Sequence, residues 1–213
     1  MKHTQKNAGI ALVIGSFLML VTMVLHPAGG DFQHLVRIFN IIIISHALAV
    51  LSVPFSLVGF WGLKDRLQGA PLLSLMAFAI IAVGLMAAVA AAAINGLALP
   101  LFVKRYSDAS AATLEAIRPI IHYGSALNHA FDFILIGAVC LAVLLWSIAV
   151  IITKQIPSWV GYFGLLLSTL AILMLSLGFH FVDLQGFRWF IFGWVSWIII
   201  VGVIMIKSPD FQT

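Results

Sequence analysis

Charged residues are scarce in this sequence, and cysteine is nearly absent. Only 8% of the 213 residues are Asp, Glu, Lys or Arg, whereas 63% are hydrophobic. A soluble globular domain has about 25% charged and about 45–50% apolar residues. The chain therefore has too few polar side chains to cover a globule in water. This excludes a soluble enzyme, a nucleic-acid-binding protein and a disordered chain. The single cysteine, Cys140, excludes a disulfide or a multi-cysteine metal site within one chain.

Motifs that would name a reaction are also absent. The sequence contains no Gly-rich phosphate loop, no Gly-x-Ser-x-Gly elbow and no His-Glu-x-x-His. The apolar spans contain no lysine that could hold a retinal-type Schiff base. The sequence therefore indicates where the protein resides more directly than what it does.

Six long apolar runs predict an all-α fold, a bundle of six transmembrane helices in a single domain that covers residues 1–213. A membrane-spanning helix needs about 20 mostly apolar residues. Pro54 predicts a kink in the second span, and Pro100 predicts the end of the region that contains the third. The predicted spans are residues 8–25, 35–63, 71–97, 119–152, 159–181 and 188–206.

Six spans place both termini on one side of the membrane, and the charge distribution slightly favours the cytoplasm for that side. With the termini inside, six of the 11 Lys and Arg residues are cytoplasmic and five are outside. Cytoplasmic loops carry an excess of Lys and Arg. We therefore expect an integral protein of the bacterial inner membrane with cytoplasmic termini, able to form oligomers.

Small residues in the third span predict close helix packing. Gly84, Ala88 and Ala92 are spaced by four residues, and small residues let helix backbones approach each other in lipid. This span is therefore expected at the centre of the bundle.

The polar connection that follows the third span predicts a short interfacial helix. Ser110 and Asp108 are its N-cap candidates, and Glu115 and Arg118 are spaced to form an i,i+3 ion pair.

The turn between the fourth and fifth spans carries a resemblance. The stretch Lys154-Gln-Ile-Pro157-Ser-Trp159-Val-Gly161 is a polar turn that enters a helix. It resembles the corresponding turn of uncharacterised bacterial membrane proteins with six transmembrane helices. The resemblance implies the architecture alone.

Ionisable residues collect in one half of the predicted bundle. Ionisable groups at membrane depth are costly and usually mark a functional site. Six of the seven histidines fall in the half opposite the termini, together with Asn95 and several Asp and Arg residues. These histidines are His26, His34, His46, His122, His129 and His180.

Two His-x-x-Asp patterns within this layer predict a site between the fourth and fifth spans. Residues at i,i+3 share a helix face, and spans joined by a short turn are expected to be neighbours. The predicted catalytic residues are His129, Asp132, His180 and Asp183. The same four, with His26 and His122, could ligate Zn or Fe and leave a position open for water. The alternative is that each residue caps a helix or pairs with an arginine at the interface.

His46 lies at mid-membrane and allows a second hypothesis. A haem b needs two histidines on facing helices, and His46 with His129 is the candidate pair. The aromatic sixth span could wall such a haem or a quinone, or it could face lipid, which is the expectation for an end helix.

Four functions thus remain open. The first is a metal-dependent or acid–base enzyme that acts on a lipid or another amphiphile. The second is a haem- or quinone-binding electron-transfer subunit. The third is a small transporter or channel, against which the apolar inner half argues. The fourth is an accessory subunit without a site.

Overall fold

The computed structural model describes residues 2–179 and 181–207, and within them the chain forms helices and turns without a β-strand. Between α4 and α5 the chain winds as a π-helix over Ala92–Ala98, here called the π segment. The α-helices are α1 (Lys2–Leu25), α2 (Phe32–Arg37), α3 (Phe39–Arg66), α4 (Pro71–Ala91), α5 (Leu99–Arg105), α6 (Ala111–Thr153), α7 (Ser158–Ser176) and α8 (Leu184–Lys207).

Six of the described helical segments are long and apolar enough to cross a membrane, which confirms the predicted all-α bundle. In one of them, α4, the π segment and α5 run on as a single rod, Pro71–Arg105. The side of the bundle where α1 begins and α8 ends is called the terminal side below, and the opposite side is the distal side.

Glycines bring the long helices into close contact. A Cβ atom placed on Gly15 of α1 would lie 2.7 Å from the Oγ of Ser56 in α3, and one on Gly84 of α4 would lie 2.6 Å from the Cβ of Ala138 in α6. Such spacing is shorter than real Cβ contacts, so the backbones meet only because the side chains are missing. The expectation that Gly84 marks a close helix contact is confirmed.

Buried serines line the seam between α1 and α3. Ser45, Ser52 and Ser56 are each at most 2% exposed. Each hydroxyl donates to a carbonyl of its own helix at 2.7–3.0 Å, and Thr22 of α1 donates to the carbonyl of Ser45 at 3.3 Å. These hydroxyls are therefore satisfied within the helices of the seam.

Aromatic rings fill the core towards the terminal side. Trp146 stacks on Phe60 with ring centroids 4.9 Å apart and on Trp197 at 6.4 Å. The indole N–H of Trp197 donates to the carbonyl of Val160 at 3.0 Å and so ties α8 to α7. Burial of Trp197 shows that this part of α8 faces the bundle rather than lipid.

Two helices run past a proline at which the sequence predicted that they end or begin. The helical rod continues through Pro100 to Arg105. Proline lacks an N–H and its ring clashes with the carbonyl four residues earlier. The wider π winding immediately before Pro100 relieves this conflict, and the N–H of Leu99 reaches back five residues to Ile94. The helix therefore does not end where the proline suggested.

The predicted interfacial helix is the first part of α6 rather than a separate element. Ser110 caps it by accepting a hydrogen bond from the N–H of Thr113 at 3.3 Å, and Glu115 pairs with Arg118 at 2.9 Å. Both local predictions are confirmed. The helix then continues through Pro119 without a break.

Candidate functional site

A cavity of approximately 370 Å³ runs between α1, α3, the rod of α4 and the π segment, α6 and α8. Exposed Ala28, Gly29 and His129 lie among its lining residues on the distal side, so the cavity opens there. Deeper in the bundle its wall is apolar and includes Phe60, Val143 and Ile198. Its polar lining residues are Thr22, His26, His46, Ser52, Asn95, Asn128, His129 and Asp132.

Helix α6 shows the change from polar to apolar lining along one face. Asn128, His129 and Asp132 line the cavity at its distal end. Leu135, Val139 and Val143 continue the same face at helical spacing towards the terminal side. The amide of Asn128 donates to a carboxylate oxygen of Asp132 at 2.7 Å. Asp132 is therefore buried but partnered.

His26 and His46 form a ring pair inside the cavity wall. His26 follows the last residue of α1, and His46 lies two turns into α3. Their ring centroids are 4.8 Å apart, with an angle of 54° between the ring planes. Rings in such contact leave no space for a porphyrin between them.

Both rings point the same nitrogen at a backbone carbonyl. The Nδ1 atom of His46 lies 2.8 Å from the carbonyl oxygen of Ile42, and that of His26 lies 3.1 Å from the carbonyl oxygen of Pro27. A carbonyl oxygen only accepts, so Nδ1 carries the hydrogen in each neutral ring. The Nε2 atom of each ring is then the nitrogen with a lone pair, and no described residue donates to it.

Burial keeps the His26 ring neutral. Desolvation and the adjacent His46 lower the pKa of His26 from 6.5 to about 4, against the opposing effect of the bond to Pro27. The Arg188 guanidinium lowers the pKa further. It donates to the carbonyl oxygen of His26 at 2.8 Å and so fixes the end of α1 against the start of α8.

The π segment places an amide beside this pair. A Cβ atom on Gly96 would collide with the His46 ring, so the absence of a side chain at Gly96 lets α3 and the π segment approach. Asn95, the preceding residue, lines the cavity. Its buried Oδ1 has no hydrogen-bond partner among the described residues. Single π turns inside α-helices occur frequently at functional sites.

Two of the four predicted catalytic residues line the cavity, and a third caps a helix. His129 and Asp132 line the cavity. Asp183 accepts a hydrogen bond from the N–H of Gly186 at 2.7 Å and so caps the start of α8. His180 lies outside the described residues, so its approach to His129 stays a prediction.

The predicted metal ligands also lie partly inside and partly outside the cavity. His26 lies in the cavity wall, whereas His122 is exposed on α6 and is not among the lining residues. Within residues 2–179 and 181–207, no group of three or more His, Cys, Asp and Glu side chains could hold a metal ion. The Zn or Fe site that includes His180 therefore stays a prediction, as does a haem b held by His46 and His129.

The sequence did not reveal the His26–His46 contact. The two residues are 20 positions apart, and His46 was assigned to a different partner. The sequence signal that could have suggested a close contact here is the Asn95-Gly96 dipeptide shortly before Pro100. A glycine within a helix often marks the close approach of another part of the backbone, and a proline disturbs the helical turn that precedes it.

Comparisons of the chain with models of known protein families, with curated proteins and with solved structures found no match.

Proposed function

We propose that this membrane protein binds one single-chain amphiphile in the cavity, with the polar head group at the distal end and the hydrocarbon chain towards the terminal side. The observation that carries the proposal is the separation of polar and apolar lining. The histidines, amides and Asp132 lie at one end. The deeper wall is aliphatic and aromatic apart from Ser52, whose hydroxyl donates to the carbonyl of Ala49 in its own helix. Ligand cavities typically combine apolar walls with a few convergent polar groups in this way.

The dimensions of the cavity suit one chain. Along α3 the lining extends from His46 to Phe60, which is roughly 20 Å at 1.5 Å per residue. A volume of about 370 Å³ is near the lower end of the range for small-molecule sites, which is roughly 300–1,000 Å³. A long cavity of this volume suits a ligand with one hydrocarbon chain. A phospholipid with two chains would need a larger cavity.

The head group decides the affinity in this environment. A hydrocarbon chain that leaves the bilayer for an apolar cavity exchanges one apolar surrounding for another and gains little. Hydrogen bonds between the head group and the distal polar residues supply the preference. The same cavity is the place where a quinone or lipid substrate would meet His129 and Asp132, as the sequence-based enzyme and electron-transfer hypotheses require.

The proposal is tested by what the purified protein retains. The protein is prepared in detergent, washed, and extracted with organic solvent, and the extract is analysed by mass spectrometry. We expect approximately one equivalent of a single-chain amphiphile. Ala88→Phe fills the cavity from α4, because Ala88 lines it, and should abolish retention. Ala79→Phe is the matched control, since Ala79 is exposed on the same helix and is not among the lining residues.

Both variants must elute as the wild type does and keep its helical circular dichroism. Equal retention by Ala88→Phe and the wild type would show that the amphiphile lies elsewhere on the protein.

A further inference from the structure

We propose that the head group recognised at the distal end is uncharged and carries more than one hydroxyl, as in a prenyl quinol or a monoacylglycerol. The hydroxyls would donate to Nε2 of His26 and Nε2 of His46. This inference rests on the proposed binding function and specifies the chemistry of its ligand. Two ring nitrogens of the cavity wall that only accept hydrogen bonds carry it.

The acceptor character follows from the hydrogen bonds already made. Each histidine donates its Nδ1–H to a carbonyl oxygen, so its Nε2 offers only a lone pair. The two rings are in contact, with their centroids 4.8 Å apart. The two acceptors therefore belong to one contiguous part of the wall.

Unsatisfied acceptors select a ligand that donates. An acceptor that a bound ligand shields from water loses its hydrogen bond unless the ligand donates in place of the water, and a hydroxyl does so. A hydroxyl donates one hydrogen, so two acceptors favour a head group with two hydroxyls. A para-quinol and a 1-monoacylglycerol each have two. A quinone, an ether or an ester without a hydroxyl offers acceptors only and would leave the wall unsatisfied.

Charged head groups fit this part of the wall less well. A carboxylate or phosphate would place negative oxygens against two lone pairs. An ammonium would approach the Arg188 guanidinium, which is bound to the carbonyl of His26. The Asp132 carboxylate, which could attract an ammonium, already accepts a hydrogen bond from Asn128. The neutral state of His26, whose pKa is lowered to about 4, is consistent with an uncharged ligand.

The test compares probes that share a decyl chain and differ in the head group. Their binding to purified, delipidated full-length protein is measured by isothermal titration calorimetry in detergent at neutral pH. The hydroxyl probes are decylubiquinol and 1-monodecanoylglycerol. Their partners without hydroxyls are decylubiquinone and the dimethyl ether of 1-monodecanoylglycerol. Decanoic acid and decylamine test the charged alternatives.

We expect at least one hydroxyl probe to bind about tenfold or more tightly than its partner without hydroxyls, which is the equivalent of one buried hydrogen bond left unmade. The probe pair that shows this difference in affinity identifies the class of ligand, a quinol or an acylglycerol. His26→Leu and His46→Leu should each reduce the difference to less than about threefold. His122→Leu, at an exposed position outside the cavity lining, should leave the difference unchanged.

Three results would overturn the inference. Equal affinities within both pairs would show that the hydroxyls are not recognised. Tighter binding of decanoic acid or decylamine would show a charged ligand. Loss of hydroxyl-probe binding after treatment with a chelator would show that a metal ion occupies the lone pairs. In each case a retained amphiphile that Ala88→Phe removes would leave the proposed binding function standing, whereas no retained amphiphile and no bound probe would contradict both.

Discussion

His26 combines several structural tasks at one residue. Its ring packs on His46 in the cavity wall, its Nδ1 faces the carbonyl of Pro27, and its own carbonyl receives the Arg188 guanidinium. These contacts fix the point where α1 passes into the loop that borders the cavity mouth. A protonated ring at this position would lie in a poorly solvated place near a fixed positive charge.

The lowered pKa of His26 predicts that acid destabilises the protein. The pKa is 6.5 ordinarily and about 4 in the folded protein, so the unfolded chain binds a proton first as the pH falls. The stabilising effect of the neutral ring is fully present above pH 6.5 and is lost between pH 6.5 and 4. Its size is roughly 3 kcal/mol, from about 1.4 kcal/mol per pKa unit. The measurement is the thermal unfolding midpoint in detergent between pH 7.5 and 4.

His26→Phe isolates this effect, because the phenyl ring keeps the packing and does not titrate. We expect the midpoint of this variant to fall less steeply with acid than that of the wild type. His122→Phe is the control and should keep the wild-type profile. Identical profiles for His26→Phe and the wild type would contradict a buried neutral His26.

For single residues, the sequence predicted contacts between positions close together in the chain and missed contacts between different helices. Ser110 as an N-cap and the Glu115–Arg118 pair depend on residues three positions apart, and the structure contains both. The His26–His46 pair depends on how α1 and α3 align across the bundle. Small residues at the α1–α3 seam set that alignment, and spacing along one helix does not reveal it.

Among the elements, the π segment has the most direct effect on the site. It lies within a helical rod that otherwise keeps α-helical winding, and it presents Asn95 to the cavity. A π-helix has i→i+5 hydrogen bonds, so the following residues are rotated relative to a continuous α-helix. The sequence predicted a third span that begins at residue 71, where α4 begins, but ended it near residue 97, because Pro100 normally breaks a helix.

Gly96→Ala should destabilise the protein strongly. The added methyl would collide with the His46 ring, whose position is fixed by its hydrogen bond to Ile42. Overpacking of this kind costs about 1–3 kcal/mol, and occasionally more. We therefore expect a lower unfolding midpoint and, because Asn95 and His46 must shift, reduced retention of the amphiphile.

Gly137→Ala is the matched control for this prediction. Gly137 is helical and exposed, and a Cβ atom there would meet nothing within 4 Å. Its replacement should leave stability unchanged or raise it by up to about 1 kcal/mol, because alanine favours the helix. A Gly96→Ala protein as stable as Gly137→Ala would show that the π segment and α3 are not in close contact.

In the whole molecule, the sequence predicted the polar asymmetry but not the cavity. Six histidines in one half of the bundle follow directly from counting along the spans. Whether they face lipid or a shared interior depends on the rotation of each helix. The last span shows that the sequence alone does not determine this rotation. Phe190, Trp194 and Trp197 are at most 3% exposed, although an end helix was expected to face lipid, because α8 packs against α1 as well as α7.

The orientation of the bundle determines which leaflet supplies the ligand, and cysteine labelling in intact cells tests it. Ser110 and Gln68 are both exposed, on the distal and terminal sides respectively. A Cys140→Ala background removes the native thiol, which is buried. With cytoplasmic termini, Ser110→Cys should react with a membrane-impermeant maleimide, and Gln68→Cys should react only after the cells are permeabilised. The reverse pattern would place the cavity mouth in the cytoplasmic leaflet. Since the packing around His26, His46 and Asn95 is independent of that orientation, the amphiphile would then enter from the cytoplasmic leaflet into the same cavity.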